Sequence, residues 1–295
     1  MITIIIFYHF FFMNYLILPT MLVWLLLAIS IGCALTKTTS WRIPLLLTLI
    51  TAVTLNILTV IGAAIMVSGI VIARFTARQQ SKPLIYAGHM IVVLWIIGLI
   101  LHLYLGINNL LVLDHVNSGP LSRPFTLYFN IDKPMLIFAL LLLVPNIVSN
   151  NEYNWHHLSL SRMQKSIIGG GLITLPLLAW ALQLVQPEFT LPSWWWIFAI
   201  NNLIFTCVAE EVLFRGYIQG LLCKKLAPPM AIIIASVLFG LAHFAGGPLF
   251  IIIATLAGIL YGLSYYWTKK ITVAIVVHFA FNLLHLVFFT YPLPL

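Results

Sequence analysis

The sequence predicts an all-α fold, a polytopic transmembrane helical bundle of about nine or ten spans. Three observations carry that reading. Hydrophobic types make up 62% of the 295 residues and charged types only 7%, whereas an ordinary soluble domain carries about a quarter charged residues. Apolar runs of about 18 residues or more, long enough to cross a hydrocarbon core, recur along the whole length. The basic residues behind the net charge of +8 sit mostly in short loops between those runs, the pattern that marks cytoplasmic loops. A soluble fold of this composition would expose apolar surface everywhere and aggregate. The scattered basic residues form no footprint for nucleic acid, and none is expected as a partner.

Spans are read near residues 16–35, 44–58, 60–73, 84–105, 133–148, 166–186, 194–222, 229–246, 249–267 and 271–290. Residues 1–12 hold no Lys or Arg, so the basic start of a cleavable signal is missing. The region 44–73 reads as one long tilted helix or as a tight pair. Lys37 and Arg42 precede it, and Arg74, Arg78 and Lys82 follow it. Two basic loops on one side of the membrane need two crossings between them, which favours the pair. Later basic loops hold Arg162 with Lys165, Lys224 with Lys225, and Lys269 with Lys270. Ten spans with both termini outside place all of these inside. The long loop 106–132 then lies outside, and no strand alternation suggests an outer-membrane barrel.

Other polar residues are given plainer roles. Cys33, Cys207 and Cys223 form no CxxC pair and read as small apolar groups. His89 and His102 are expected to pack or to sit at an interface, and His156 and His157 to be solvated in a loop. Trp194, Trp195 and Trp196 read as an interfacial anchor.

The two parts of the chain differ. Residues 1–190 read as an N-terminal transmembrane scaffold of unknown role, and 191–295 as the helical core that carries chemistry. The latter holds Gly216-xxx-Gly220, Ser236-xxx-Gly240 and Gly258-xxx-Gly262, and small residues four apart let helices approach closely in lipid. It also holds Glu210 and Glu211, both inside an apolar run, while the other four carboxylates, Asp114, Asp132, Glu152 and Glu188, fall in loops or at span ends. An acidic residue at a helix centre costs about 2.5–3.5 kcal/mol on insertion scales, so such residues are usually functional and usually paired. Arg215 follows Glu211 by four residues and shares its helix face. Glu210 points about 100° away, leaving it available as a general base.

Two histidines join this group. His243 follows Phe239 by four residues, and His278 precedes Asn282 by four, so each pair shares a helix face. Glu210 lies fourteen residues before Lys224 and His243 fifteen after Pro228, which at about 1.5 Å per residue puts both about 21–23 Å from one loop. His278, eight residues past Lys270, comes only about 12 Å in by the same rise, so its depth matches less well.

Glu210-Glu211-Val-Leu-Phe-Arg215 resembles the EExxxR motif of the CPBP family of intramembrane proteases, which includes the type II CAAX prenyl endopeptidases and bacterial Abi-type proteins. Phe239-xxx-His243 resembles that family's FxxxH motif, and His278-xxx-Asn282 its HxxxN motif, in the same order. The resemblance covers roughly 194–290 and leaves the first 190 residues unaccounted for. It implies peptide-bond hydrolysis of a membrane-associated peptide or protein by an integral, multi-pass enzyme of a bacterial inner (plasma) membrane. By resemblance Glu210 and His243 would activate water, His278 and Asn282 would stabilise the oxyanion, and Glu211 would orient the site through Arg215. The cofactor stays open between zinc and none. Glu210, His243 and His278 could supply three zinc ligands, yet HExxH is absent. A proton-coupled transporter, which also needs intramembrane Glu, His and Arg, and a non-catalytic immunity or binding protein remain alternatives.

Overall fold

In an apolar environment every backbone N–H and C=O must find a partner within the protein, and helices meet that demand segment by segment. The computed structural model describes residues 19–36, 39–149 and 160–295; the expectations for residues 1–12, His156 and His157 lie outside these. The described chain is dominated by helices, as the composition predicted. They are α1 (Thr20–Leu35), α2 (Arg42–Thr54), α3 (Val60–Thr76), α4 (Lys82–Ile100), α5 (Met135–Leu143), α6 (Arg162–Ala181), α7 (Trp195–Leu222), α8 (Pro228–Leu241), α9 (Pro248–Thr268) and α10 (Ile271–Phe288). Among them α4, α7, α9 and α10 are long and apolar enough to cross a membrane, and α1, α3 and α8 are shorter apolar helices.

Local chemistry sets several boundaries. The region 44–73 forms a pair of helices: the chain breaks where Asn56 adopts a left-handed backbone (φ 57°) and Thr59 caps α3 by accepting from Gly62 N–H at 3.0 Å. A proline shortens α5 relative to the expected span 133–148. Val144 leaves the helical region at φ −133°, ψ 82°, as a residue before proline tends to do. Ser161 and Gln164 form a capping box at the start of α6.

The loop 106–132 is not wholly irregular. Strands β1 (Leu110–Val116) and β2 (Phe125–Phe129) pair there. The sequence hid them because Val112 and Leu113, neighbours in β1, are both buried, so no period-two alternation is visible. His102, read as lying within a span, stands past the end of α4 with its Nδ1 at 2.6 Å from Asp132 Oδ2. Asp132 is itself buried.

The chain divides into two compact units, Met1–Val116 with Thr126–Pro145, and Asn117–Phe125 with Asn146–Leu295. In the first, α3 and α4 cross closely: a Cβ on Gly69 would fall 2.2 Å from the Trp95 ring, and Trp95 Nε1 donates to Ile65 O at 2.9 Å. In the second, α8 and α9 form the most extensive helix pair. Ser236-xxx-Gly240 and Gly258 make this approach as expected, since a Cβ on Gly258 would meet Ser236 Cβ at 3.1 Å. Gly216 instead faces Ile147, and Gly220 meets nothing tight.

The α8–α9 crossing gives a testable stability effect. A methyl on Gly240 would lie 2.0 Å from Thr255 Oγ1 and 2.7 Å from the Ile251 carbonyl oxygen. Overpacking of this kind costs about 1–3 kcal/mol, more than the gain of about 0.5–1 kcal/mol from Gly to Ala within a helix. Gly240→Ala is therefore expected to lower the thermal midpoint in detergent. A midpoint equal to that of the parent would mean the helices do not meet there.

The second unit also has a clasp at the C-terminal end of α10. Glu188, a buried carboxylate, accepts from Leu121 N–H at 2.6 Å and from the Ser122 hydroxyl. Arg123 N–H donates to Leu293 O at 3.0 Å, and Thr290 N–H to Gln186 O at 2.9 Å. These bonds fix the segment carrying Tyr291, which reaches the site described next.

Candidate active site

The site is built on α7. This helix is not a plain α-helix: it widens into π-helical turns at Asn201–Cys207 and Val212–Gln219, on either side of Val208–Glu211. Such turns are rare and occur often at functional sites. Apolar patterning carries no signal for them, and the sequence reading took the span as regular.

Glu211 and Arg215 form a fully buried ion pair, with Glu211 Oε2 at 3.1 Å from Arg215 Nε. The guanidinium is held by more than that carboxylate. Its Nη2 donates to Gly258 O at 2.9 Å, and its Cζ lies 4.6 Å from the Phe239 ring centroid and 5.3 Å from that of Tyr261. Glycine at 258 permits this, because a Cβ there would come within 3.3 Å of Nη2. One helical turn on, Gln219 Nε2 repeats the pattern by donating to Gly262 O at 3.0 Å. The i, i+4 side chains of α7 thus match the i, i+4 carbonyls of α9.

The other carboxylate oxygen of Glu211 holds a histidine. His278 Nδ1 lies 2.8 Å from Glu211 Oε1, and Tyr261 stacks on the imidazole at 4.5 Å with a 16° interplanar angle. A carboxylate accepts only, so Nδ1 carries the proton and Nε2 faces the other way. There it comes to 3.8 Å from Glu210 Oε2. The rise argument had set His278 too shallow. Lys270, from which the rise was counted, is itself buried and does not mark the surface.

Glu210 is placed differently from Glu211. Its side chain is 30% exposed, while its Oε2 is buried and has no hydrogen-bond partner among the described residues. It lines a cavity of about 260 Å³ together with Asn202, His243, His278, Asn282 and Tyr291. His243 stands beyond the end of α8 rather than within it. Its Nδ1 lies 2.8 Å from the Phe239 carbonyl oxygen, which only accepts, so Nδ1 carries a hydrogen and Nε2 is the ring nitrogen that this bond leaves unused. Pro176, Ala179, Ile253, Ala254 and Phe281 give the cavity an apolar wall. Burial raises the Tyr291 phenol above its ordinary value, which keeps it neutral at physiological pH.

All six residues singled out in the sequence, Glu210, Glu211, Arg215, His243, His278 and Asn282, therefore belong to one neighbourhood. Residues 192–284 match the family model for Rce1-like type II CAAX prenyl endopeptidases. This segment is similar to the Rce1-like domain. It carries all three motifs, and the chain before it lies outside the match. No curated protein and no solved structure matches the chain.

Asn202 and Tyr291 were not anticipated. Asn202 could have been noticed as one of two adjacent amides in an apolar run; nothing in the sequence marked Tyr291. As for a metal, zinc needs three protein ligands at about 2.0–2.2 Å around one point. Among the described residues no three His, Cys, Asp or Glu side chains gather in that way. Glu210, His243 and His278 share a cavity, but the described residues do not hold them together as a three-ligand set.

Proposed function

We propose that this protein is an intramembrane endopeptidase that hydrolyses a peptide bond of a membrane-associated substrate with water activated by Glu210 and His243. The observation that supports it most is the convergence of Glu210, His243, His278 and Asn282 on one cavity from three separate parts of the chain. The Rce1-like match of residues 192–284 points to the same class of reaction.

Each group has a part that its surroundings suit. Glu210 Oε2 and the Nε2 of neutral His243 are both acceptors, and one water can donate a proton to each. As the water oxygen attacks the scissile carbonyl carbon, its proton passes to Glu210. The carbonyl electron pair moves onto oxygen, where the Asn282 amide N–H receives it, with His278, held on Glu211 through Nδ1–H, as the second group beside the oxyanion. Collapse of the tetrahedral adduct expels the amine nitrogen, which takes the proton held by Glu210. The products are a carboxylic acid and an amine, and no other reactant is needed. Glu211 and Arg215 position His278 and touch no substrate.

The test uses the purified full chain in liposomes with membrane-anchored peptides, some prenylated and some not. Wild-type protein is expected to cleave at least one of them, and a strong chelator is expected to leave the rate within about twofold, because the mechanism draws on general acid–base groups alone. Loss of activity with chelator and its return with zinc would replace the glutamate mechanism by a metal one. A solute gradient dissipated without any cleavage would replace the protease by a carrier.

A further inference from the structure

Asn282 can serve an oxyanion only if its amide is turned the right way. An amide offers N–H on one side and C=O on the other, and the wrong orientation would aim a lone pair at a developing negative charge. The structure shows what fixes the orientation. Asn282 Nδ2 donates to Asn202 Oδ1 at 3.1 Å. The same Asn202 oxygen accepts from the Cys207 thiol at 3.2 Å. A thiol hydrogen can donate to this atom of Asn202, which suits an oxygen there. With the oxygen of Asn202 turned inward, the nitrogen of Asn282 must face it. Asn282 Nδ2 is thereby engaged, with the Cys207 sulfur a further 3.9 Å from it, and both asparagines line the cavity.

The π-helical turn makes this arrangement possible. Asn202 and Cys207 are five residues apart, at the two ends of the widened segment Asn201–Cys207. In an α-helix residues five apart stand about 140° from one another around the axis. In a π-helix the backbone bonds run from i to i+5, so residues at that spacing come onto one face. The thiol is thus brought over the amide by the local winding. Asn202 and Cys207 are both buried, so no bulk solvent competes for these hydrogen bonds.

We propose that Asn202 is a positioning residue that locks the Asn282 amide with its N–H side toward the reacting carbonyl, and that Cys207 latches Asn202. This inference rests on the protease reading above. It gives the π-turn a purpose within the reaction, and it gives the buried thiol a structural part that leaves no free nucleophile there.

Three measurements test it. First, the infrared S–H stretch of Cys207, identified as the band lost in Cys207→Ala, should lie at a hydrogen-bonded frequency in wild type and move to the free-thiol frequency in Asn202→Leu. A free-thiol band in wild-type protein would overturn the latch without reference to activity. Second, Asn202→Leu should lower kcat about tenfold to a hundredfold with KM little changed, the scale expected when a catalytic group is misplaced by about 1 Å. Third, the loss should vanish in an Asn282→Ala background, because Asn202 acts only through Asn282; independent, multiplying losses would overturn the assignment. If Asn202→Leu does not fold, Cys207→Val carries the same test more gently, with Cys207→Ser expected to recover part of the lost rate because it keeps a donor. The two readings fail differently. Cleavage abolished by Glu210→Gln yet untouched by Asn202→Leu would remove Asn202 alone, whereas absence of any cleavage by wild type would remove the protease and this role together.

Discussion

Glu210→Gln is expected to lower the rate of peptide cleavage by about 10² or more, the contribution of a positioned general base, while leaving the protein folded. The substitution keeps the shape of the side chain and one carbonyl oxygen, but an amide cannot take the proton of the attacking water. Stability should not suffer, because Glu210 contributes little to the packing network. Its Oε2 has no hydrogen-bond partner among the described residues, and its contact with His278 Nε2 is long, at 3.8 Å. Removing a second carboxylate beside Glu211 also lessens like-charge repulsion. Loss of cleavage with an unchanged thermal midpoint is thus the expected pair of results. Equal cleavage by both proteins would take Glu210 out of the mechanism.

The contrast between the two adjacent glutamates was legible in the sequence, and the reason is geometric. A spacing of four between Glu211 and Arg215 fixes a shared face whatever surrounds them, and the structure pairs them at 3.1 Å. Helices were legible for a similar reason, since an apolar run in lipid has few other ways to satisfy its backbone. What escaped was whatever depended on exceptions to regular winding or on distant chain. The π-turns of α7 leave no mark on apolar periodicity. The strands β1 and β2 lack alternation because adjacent residues of β1 are buried. Tyr291 reaches the cavity because Glu188, Ser122 and Arg123 tie down the C-terminal segment, a long-range arrangement with no local signature. The depth argument worked for Glu210 and His243, where the loop lysines mark the surface, and misled for His278, where Lys270 is buried.

Arg215→Met is expected to be the most destabilising single change in the second unit. Methionine fills a similar volume, so the effect should come from charge and hydrogen bonding rather than from a cavity. The substitution strips Glu211 of its cationic partner in a fully buried position and leaves the Gly258 carbonyl without the 2.9 Å donor it now has. Breaking one side of a buried ion pair costs about 3–5 kcal/mol. Arg215→Lys should rescue only part of this, because a single ammonium cannot reach the carboxylate and the Gly258 carbonyl while stacking between the rings of Phe239 and Tyr261. The informative partner is the double variant Glu211→Gln with Arg215→Met. It removes both charges yet keeps an amide oxygen for His278 Nδ1–H, and replacing a buried pair by neutral groups is often nearly neutral. Unfolding midpoints in detergent should therefore fall sharply for Arg215→Met and recover toward wild type in the double variant. Such a recovery would locate the cost in the uncompensated Glu211 carboxylate, which ties the stability of the core to the same charge that orients His278. A single variant as stable as wild type would mean that the ion pair is solvated, and the dry, charge-balanced core on which the mechanism depends would be gone.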